Sequence, residues 1–94
     1  MSSTTSINKE DINALHFISY EVLDNDEQKT NRKSDLEKAM KLGNSDHGKV
    51  KIVFAAETGY FEVETTVWAS TDGNVTLKGG VIIPIHCILK VNFH

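Results

Sequence analysis

The length, composition and charge of this chain fit one small domain and exclude several classes of protein. Its 94 residues are enough to bury a core without disulfides or a structural metal. Ten basic and 13 acidic side chains give a net charge of −3, which disfavours non-specific binding to duplex nucleic acid because that binding needs a basic surface.

Three features that the sequence lacks predict a cytoplasmic protein with no membrane partner. No apolar run approaches the roughly 18 residues that a membrane helix needs. The amino-terminal residues, MSSTTSINKE, do not have the charged-then-apolar layout of a secretion signal. The single cysteine, Cys87, has no partner for an internal disulfide, which is typical of a reducing compartment.

The amino-terminal segment is predicted as a flexible tail over residues 1–11, followed by a single domain over residues 12–94. Residues 12–23, INALHFISYEVL, fit either a strand or a helix, because their apolar side chains match both periods. The aromatic and β-branched residues from Phe17 to Val22 favour a strand, and Asn8 to Ala14 favour a helical turn before it.

A capping signature at Ser34 predicts where the helix begins. Residues 24–33, DNDEQKTNRK, contain no apolar side chain and predict a polar, solvated linker. In the sequence SDLE, Ser34 and Glu37 can each bond the main-chain N–H of the other, which is a capping box. We therefore predict a helix of about two turns over residues 35–42, in a capped segment 34–43 that ends at a glycine. Its apolar face, which would pack on the sheet, comprises Leu36, Ala39 and Met40.

Residues 49–93 predict the β-structure around which the rest of the chain is organised. Apolar and polar residues alternate over most of this segment, and glycines and one proline interrupt the alternation where strands would end. The predicted fold is α+β and mainly β. It is a bent antiparallel meander of five to six strands, or a small barrel, with the short helix packed on it.

The first hairpin of this segment has a predicted register. Antiparallel pairing around Glu57 and Thr58 places Lys51 opposite Glu64, which is an attractive cross-strand pair. The apolar residues of both strands then share one face. The opposite, outer face would contain Tyr60, Glu62, Glu64, Thr66, Trp68 and Ser70.

The orientation of Trp68 depends on the next turn, and two alternatives remain open. A tight Asp72-Gly73 turn would place Trp68 across from Leu77 and direct it into the core. A three-residue loop with a bulge would instead pair Ala69 with Leu77 and leave Trp68 outside.

The last two strands carry a resemblance to known small barrels. Pro84 cannot donate to a sheet ladder, so we predict a strand over residues 81–83, one tight turn over 84–87 and a final strand over 88–93. This run, IIPIHCILKV, resembles the closing segment of SH3-type barrels, and a short helix followed by five strands is similar to Sm-like barrels. The peptide-binding residues of SH3 domains and the glycine and asparagine signature of Sm proteins are missing, so the resemblance implies a fold and no ligand.

The chain as a whole resembles a family of short bacterial proteins, chiefly of the Bacteroidetes. The stretches that carry this resemblance are HFISYEVLDNDEQK, LEKAMKLGN, VETTVWAS and LKGGVIIPIHCI. It covers most of the length and implies no activity.

The sequence predicts no catalytic residue, no metal site and no cofactor. His86 and Cys87 are the only adjacent pair with base and nucleophile chemistry. In a strand they would point to opposite faces, and in the predicted turn they could approach each other. We expect a buried, inert cysteine beside a surface histidine. Neither the histidine spacing nor the single cysteine fits a metal site. We therefore expect a protein that is not an enzyme.

Two functions from different classes follow from these predictions. The first is a protein-interaction module, either a monomer or a small homo-oligomer, whose partner is basic or offers an apolar groove. Its candidate docking residues are Tyr60, Glu62, Glu64 and Trp68. The alternative is a module that binds single-stranded RNA through stacking and through phosphate contacts. Its candidate residues are Lys49, Lys51, Lys78 and Lys90.

Overall fold

Seven β-strands in two sheets and one α-helix make up the part of the chain that the computed structural model describes, residues 4–93. Two short 3-10 helices lie at Lys9–Ala14 and Ile85–Cys87. The elements in chain order are β1 (Thr4–Ser6), α1 (Asp26–Asp46), β2 (Val50–Ala56), β3 (Gly59–Thr65), β4 (Val67–Ser70), β5 (Asn74–Leu77), β6 (Ile82–Pro84) and β7 (Ile88–Asn92).

The first sheet has the strand order β1-β3-β2-β7. Strands β2 and β3 form the predicted antiparallel hairpin, with Lys51 opposite Glu64 and the turn at Glu57 and Thr58. This register is confirmed by the observed pairing, which places Ile52 opposite Val63 and Phe54 opposite Phe61 on the face towards the core. Strand β7 pairs antiparallel with the other side of β2, and β1 pairs parallel with β3.

The predicted flexible tail, residues 1–11, is wrong for the part that the structure describes. Residues Thr4–Ser6 form β1, and the main-chain N–H of Ile7 donates to the carbonyl of Glu62 at 2.9 Å. Residues 1–3 lie outside the described residues. β1 is the edge strand next to β3, and its parallel orientation does not occur in an antiparallel meander.

The second sheet has the order β4-β5-β6 and follows directly from the first. The chain passes from β3 to β4 through a single residue, Thr66, so the two strands are one bent segment shared by both sheets. Thr66 is buried, although the sequence predicts it on the outer face. Over the described residues the two sheets are not closed into a barrel, so the barrel alternative is not what the chain adopts.

The last two strands lie where the sequence predicts them, to within a residue. Strand β6 ends at Pro84, the predicted turn is the second 3-10 helix, and β7 starts at Ile88. Proline lacks an N–H and is tolerated here because β6 is an edge strand.

One core lies between the sheets and the helix. Its centre is Phe54, whose ring stacks against Phe61 and meets Phe17 at a tilt, with centroid separations of 5.9 and 6.1 Å. The other large side chains that are fully buried are Ile12, Leu36, Ile52, Leu77, Ile83, Ile88, Val50, Val63, Val67, Val75 and Cys87.

The helix is longer than predicted and begins about two turns earlier. It starts after Asn25, whose side-chain oxygen accepts from the N–H groups of Glu27 and Gln28 at 2.8 and 3.1 Å. Residues 24–33 are therefore not a linker. Ser34 lies exposed inside α1, and its predicted capping box does not start the helix.

The carboxyl-terminal end of α1 is also later than predicted. His47, with φ 55°, takes the left-handed conformation that ends the helix, and its N–H donates to the carbonyl of Gly43 at 3.1 Å. Gly43 lies inside α1 and is buried, because α1 passes against the start of β4 there. The predicted apolar face is confirmed: Leu36 and Ala39 are in the core and Met40 packs against it.

The position of the helix start can be tested by two alanine substitutions. Asn25→Ala removes the acceptor for two N–H groups and should lower the free energy of unfolding by about 1 kcal/mol. Ser34→Ala, at an exposed position inside α1, should change it by less than about 0.5 kcal/mol. Urea unfolding of both variants followed by circular dichroism measures the difference. A larger loss for Ser34→Ala would place the helix start at the capping box instead.

Residues 16–24 form neither of the two predicted elements. The segment has one isolated bridge, between Phe17 and Ala56, and follows the first 3-10 helix, which matches the helical turn expected near Asn8 to Ala14. Main-chain bonds attach it at both ends, from Glu57 to His16 at 2.9 Å and from Val22 to His86 at 3.0 Å. We refer to residues 16–24 as the strap.

None of the helices described over residues 4–93 is long and apolar enough to cross a membrane.

Candidate interaction surfaces

A bulge in β4 turns Trp68 outward. Ser70 pairs with Val75, as the tight Asp72-Gly73 turn predicts, but the register then shifts so that Val67 pairs with Leu77. The extra residue in β4 is Trp68, which leaves 48% of its surface exposed. The tight turn of the first alternative and the bulge with an exposed Trp68 of the second occur together. Both alternatives were wrong about the partner of Leu77, which is Val67.

The second sheet exposes another apolar residue, Ile82, two strands away from Trp68. Ala69 pairs with Thr76, and Thr76 pairs with Ile82, so these residues share the outer face. Ile82 is 48% exposed. We call the outer surface of Trp68, Ala69, Thr76 and Ile82 the Trp68 face.

The other three predicted docking residues lie on the first sheet. Tyr60, Glu62 and Glu64 occupy alternate positions of β3 on its outer face, opposite Ala55, Val53 and Lys51. Tyr60 is 42% exposed. The four candidates are therefore divided between the two sheets, with Thr66 between Glu64 and Trp68.

The lysines proposed for RNA are divided between the two sheets, and those of the first sheet have glutamates of β3 in the same pairing. Lys51 is half-buried opposite Glu64, and Lys90 is paired with Val53, whose other partner is Glu62. Lys49 is exposed just before β2. Lys78 is exposed after β5, where its N–H donates to the carbonyl of Thr66 at 2.9 Å.

Tyr20 is an exposed aromatic residue that the sequence did not single out. It lies in the strap with 67% of its surface exposed, and it shares a shallow groove with Tyr60 and Leu89. The aromatic density of residues 17–22 is the signal that could have identified it.

The free edge of β6 offers little for pairing with another strand. The N–H of Leu77 donates to the carbonyl of Val81 at 2.7 Å, and the N–H of Ile85 donates to the carbonyl of Gly73 at 3.0 Å. In this pattern the main-chain N–H and C=O groups of the odd-numbered residues 81, 83 and 85 point towards β5. Ile82 and Pro84 therefore face the edge, and Pro84 has no N–H to donate. An added strand would therefore find only one main-chain N–H donor along this edge of β6, that of Ile82.

His86 and Cys87 meet at one carbonyl group rather than forming a nucleophile and base. The carbonyl of Ile18 lies 2.7 Å from His86 Nε2 and accepts from Cys87 Sγ at 3.3 Å. Burial raises the pKa of the Cys87 thiol, and the negative charge of Glu21 raises it further. A buried thiol with a raised pKa is the opposite of an activated nucleophile.

A buried ion pair fastens the strap to α1. Arg32 is 7% exposed, and its Nη1 and Nη2 donate to the two carboxylate oxygens of Glu21 at 2.7 and 2.5 Å. Nη1 also donates to the carbonyl of Ile88 at 3.0 Å. The bonds from Arg32 lower the pKa of Glu21 to about 2, against a smaller opposing effect of burial and with help from the N–H of Leu23.

Metal-binding side chains are not clustered in the described part of the chain. Over residues 4–93, no group of three or more histidine, cysteine, aspartate or glutamate side chains is placed to hold an ion.

Comparison of the chain with protein-family profiles, curated proteins and solved structures gave no match.

Proposed function

We propose that this protein is a non-enzymatic protein-interaction module that docks a partner on the Trp68 face. The observation that carries the proposal is the bulge, which places the sole tryptophan of the chain outside the core, on the sheet that also exposes Ile82. An indole in water forgoes the burial that stabilises most tryptophans, and a partner can supply that burial.

Apolar contact is the recognition chemistry that this surface supports. The carboxylates of Glu62 and Glu64 belong to the other sheet, and the residues that share the outer face of the second sheet carry no charge. Tryptophan is among the residues that dominate binding energy when they enter a pocket. We infer a partner that offers an apolar pocket for the indole.

The analogy that we propose with SH3-type and Sm-like modules concerns the order of the strands only, since the two sheets are not closed into a barrel. Strands β7, β2 and β3 are adjacent in one sheet, and β4, β5 and β6 are adjacent in the other. The bent β3–β4 segment joins the sheets, and a helical turn separates β6 from β7. Small folds of this kind commonly serve as binding modules, and that argument is one of analogy.

The state of Cys87 supports both a non-catalytic role and a cytoplasmic location. The thiol is free and buried, and burial raises its pKa. Such a cysteine acts as a small apolar core residue. A free thiol fits the reducing cytoplasm that we propose.

Substitution of Trp68 is the test of this function. The tagged wild-type protein should capture a defined partner from its native cell, and Trp68→Ala should weaken that binding by about 2 kcal/mol or more, roughly 30-fold. Ile82→Ser should weaken it less. Tyr60→Ala is the matched control, because it removes an exposed aromatic ring from the other sheet. Equal binding by wild type and Trp68→Ala would exclude the Trp68 face.

Single-stranded RNA is a second candidate ligand for the same face. The exposed indole could stack on a base, and Lys78 follows Leu77, whose partner Val67 precedes Trp68. Because Trp68 is the only tryptophan, its fluorescence reports such stacking directly. RNA binding would quench this fluorescence, and the affinity would fall steeply as salt is raised. Unchanged fluorescence with a mixed-sequence oligonucleotide would leave the protein partner as the function.

A further inference from the structure

A groove between α1 and the β4–β5 turn brings cationic and hydroxyl side chains together. Lys29, Arg32 and Lys33 line it from the helix, and Ser70 and Thr71 line it from the end of β4. Its volume is about 250 Å³. The groove shares no residue with the Trp68 face, so what it binds is independent of the function proposed above.

Arg32, which is one of the residues lining this groove, has a buried hydrogen-bond donor without an acceptor. Nη1 and Nη2 are engaged with Glu21 and Ile88, but Nε has no acceptor. Among the side chains that the structure describes, Nε of Arg32 is the one buried nitrogen or oxygen atom that has no hydrogen-bond partner. A buried donor without an acceptor is costly, so native proteins rarely leave one unless water or a ligand completes it.

The geometry of the Arg32 guanidinium indicates which kind of acceptor group would fit its free N–H groups. Nε–H and the outer N–H of Nη2 point in the same direction along one edge of the plane, and Nη2 has only its bond to Glu21. Two parallel N–H groups match the two oxygens of a carboxylate or a phosphate. Lys29 and Lys33 add positive charge to the same groove.

We propose that this groove binds a small oxyanion, a carboxylate or phosphate group, through the free edge of Arg32 and the ammonium of Lys33. Glu37 and Asp72 also line the groove, so recognition rests on directed N–H groups rather than on a large excess of positive charge. The volume suits a free anion or the end group of a larger molecule, being below that of most sites for drug-sized ligands.

Arginine Nε–H resonance spectroscopy gives a direct test. Arg32 is the only arginine in the sequence, so the ¹⁵N-labelled protein has a single such signal. Titration with inorganic phosphate or with malonate, at constant ionic strength set by sodium chloride, should shift that signal saturably. A shift with only one of the two ligands identifies the anion as phosphate or carboxylate. No shift with either ligand, or an equal shift with chloride alone, would overturn the proposal.

A pair of lysine variants separates the groove from general surface charge. Lys33→Gln should weaken binding by about 5-fold, because it removes one partly screened charge beside the site. Lys38→Gln removes the same charge from an exposed position of α1 outside the groove and should leave the affinity unchanged. Equal weakening by both variants would show non-specific attraction and contradict the site. Arg32 is kept intact because it also holds Glu21.

Discussion

Replacing Gly43 with alanine is expected to destabilise the protein by about 2 to 3 kcal/mol. A methyl group at this position would lie 2.3 Å from the main-chain oxygen of Val67 and 2.9 Å from Thr66 Cγ2. The oxygen belongs to the backbone, so α1 or β4 must move. This cost exceeds the roughly 1 kcal/mol that alanine gains over glycine inside a helix.

Asn44→Ala is the matched control for this substitution. Asn44 is exposed in the same turn of α1, so alanine there should stabilise the protein by about 0.5 kcal/mol through helix propensity alone. Urea midpoints for the two variants should therefore move in opposite directions. A stabilised Gly43→Ala protein would mean that α1 does not approach β4 as closely as described.

Removing the carboxylate of Glu21 is the second substitution with a large expected effect. Glu21→Ala leaves Arg32 charged and largely buried, with only the Ile88 carbonyl as acceptor. Loss of one partner from a buried pair costs about 3 to 5 kcal/mol, and we expect about 3 kcal/mol here because 31% of the Glu21 side chain is exposed. Thermal unfolding should show a fall of roughly 10 to 20 °C.

The same pair predicts how stability depends on pH. The pKa of Glu21 is lowered from its usual 4.5 to about 2, so its contribution is complete above about pH 4.5 and is lost as the pH falls towards 2. Unfolding free energies of wild type and Glu21→Gln, measured between pH 6 and pH 2.5, should therefore converge on acidification. A constant difference between the two proteins across this range would contradict the assigned pKa.

A double substitution distinguishes the lost pair from lost packing. Glu21→Leu with Arg32→Met removes both charges and keeps comparable volume, so most of the stability should return. If the double variant were as unstable as Glu21→Ala, the strap would depend on shape rather than on the ion pair.

The sequence predicts the β2–β3 register well because two independent signals agree there. Alternation places Ile52 and Phe54 on one face, and the same register places Lys51 opposite Glu64. The positions of the last two strands were equally predictable from the sequence, because Pro84 can lie only at the edge of a sheet or at a break in a strand. Such local signals suffice where the main-chain pattern itself restricts the alternatives.

The early turns of α1 were missed because they carry no apolar periodicity. The residue that they bury is Arg32, which a sequence pattern treats as surface. Its burial depends on Glu21, 11 residues earlier, and on Ile88, 56 residues later. A contact of that kind becomes visible only once the chain is folded.

The candidate surfaces were predictable only in part. Exposed Trp68 was one of two open alternatives, since a bulge depends on packing across the sheet and not on local residue type. Trp68 lies on a different sheet from Tyr60, Glu62 and Glu64 because the chain changes sheets at Thr66. The sequence around Thr66 contains no glycine or proline that would predict this change.

The hydrogen bond from Arg32 to Ile88, 56 residues later, also affects the order in which parts of the chain can fold during synthesis. Glu21, Arg32 and the β2–β3 hairpin leave the ribosome before Ile88 does, yet Arg32 and β2 both need the strand that begins there. Nascent chains that lack this strand should remain open to proteases, because contacts of such long sequence separation form late. We therefore expect the amino-terminal half to fold only after β7, the last of the described strands to be translated.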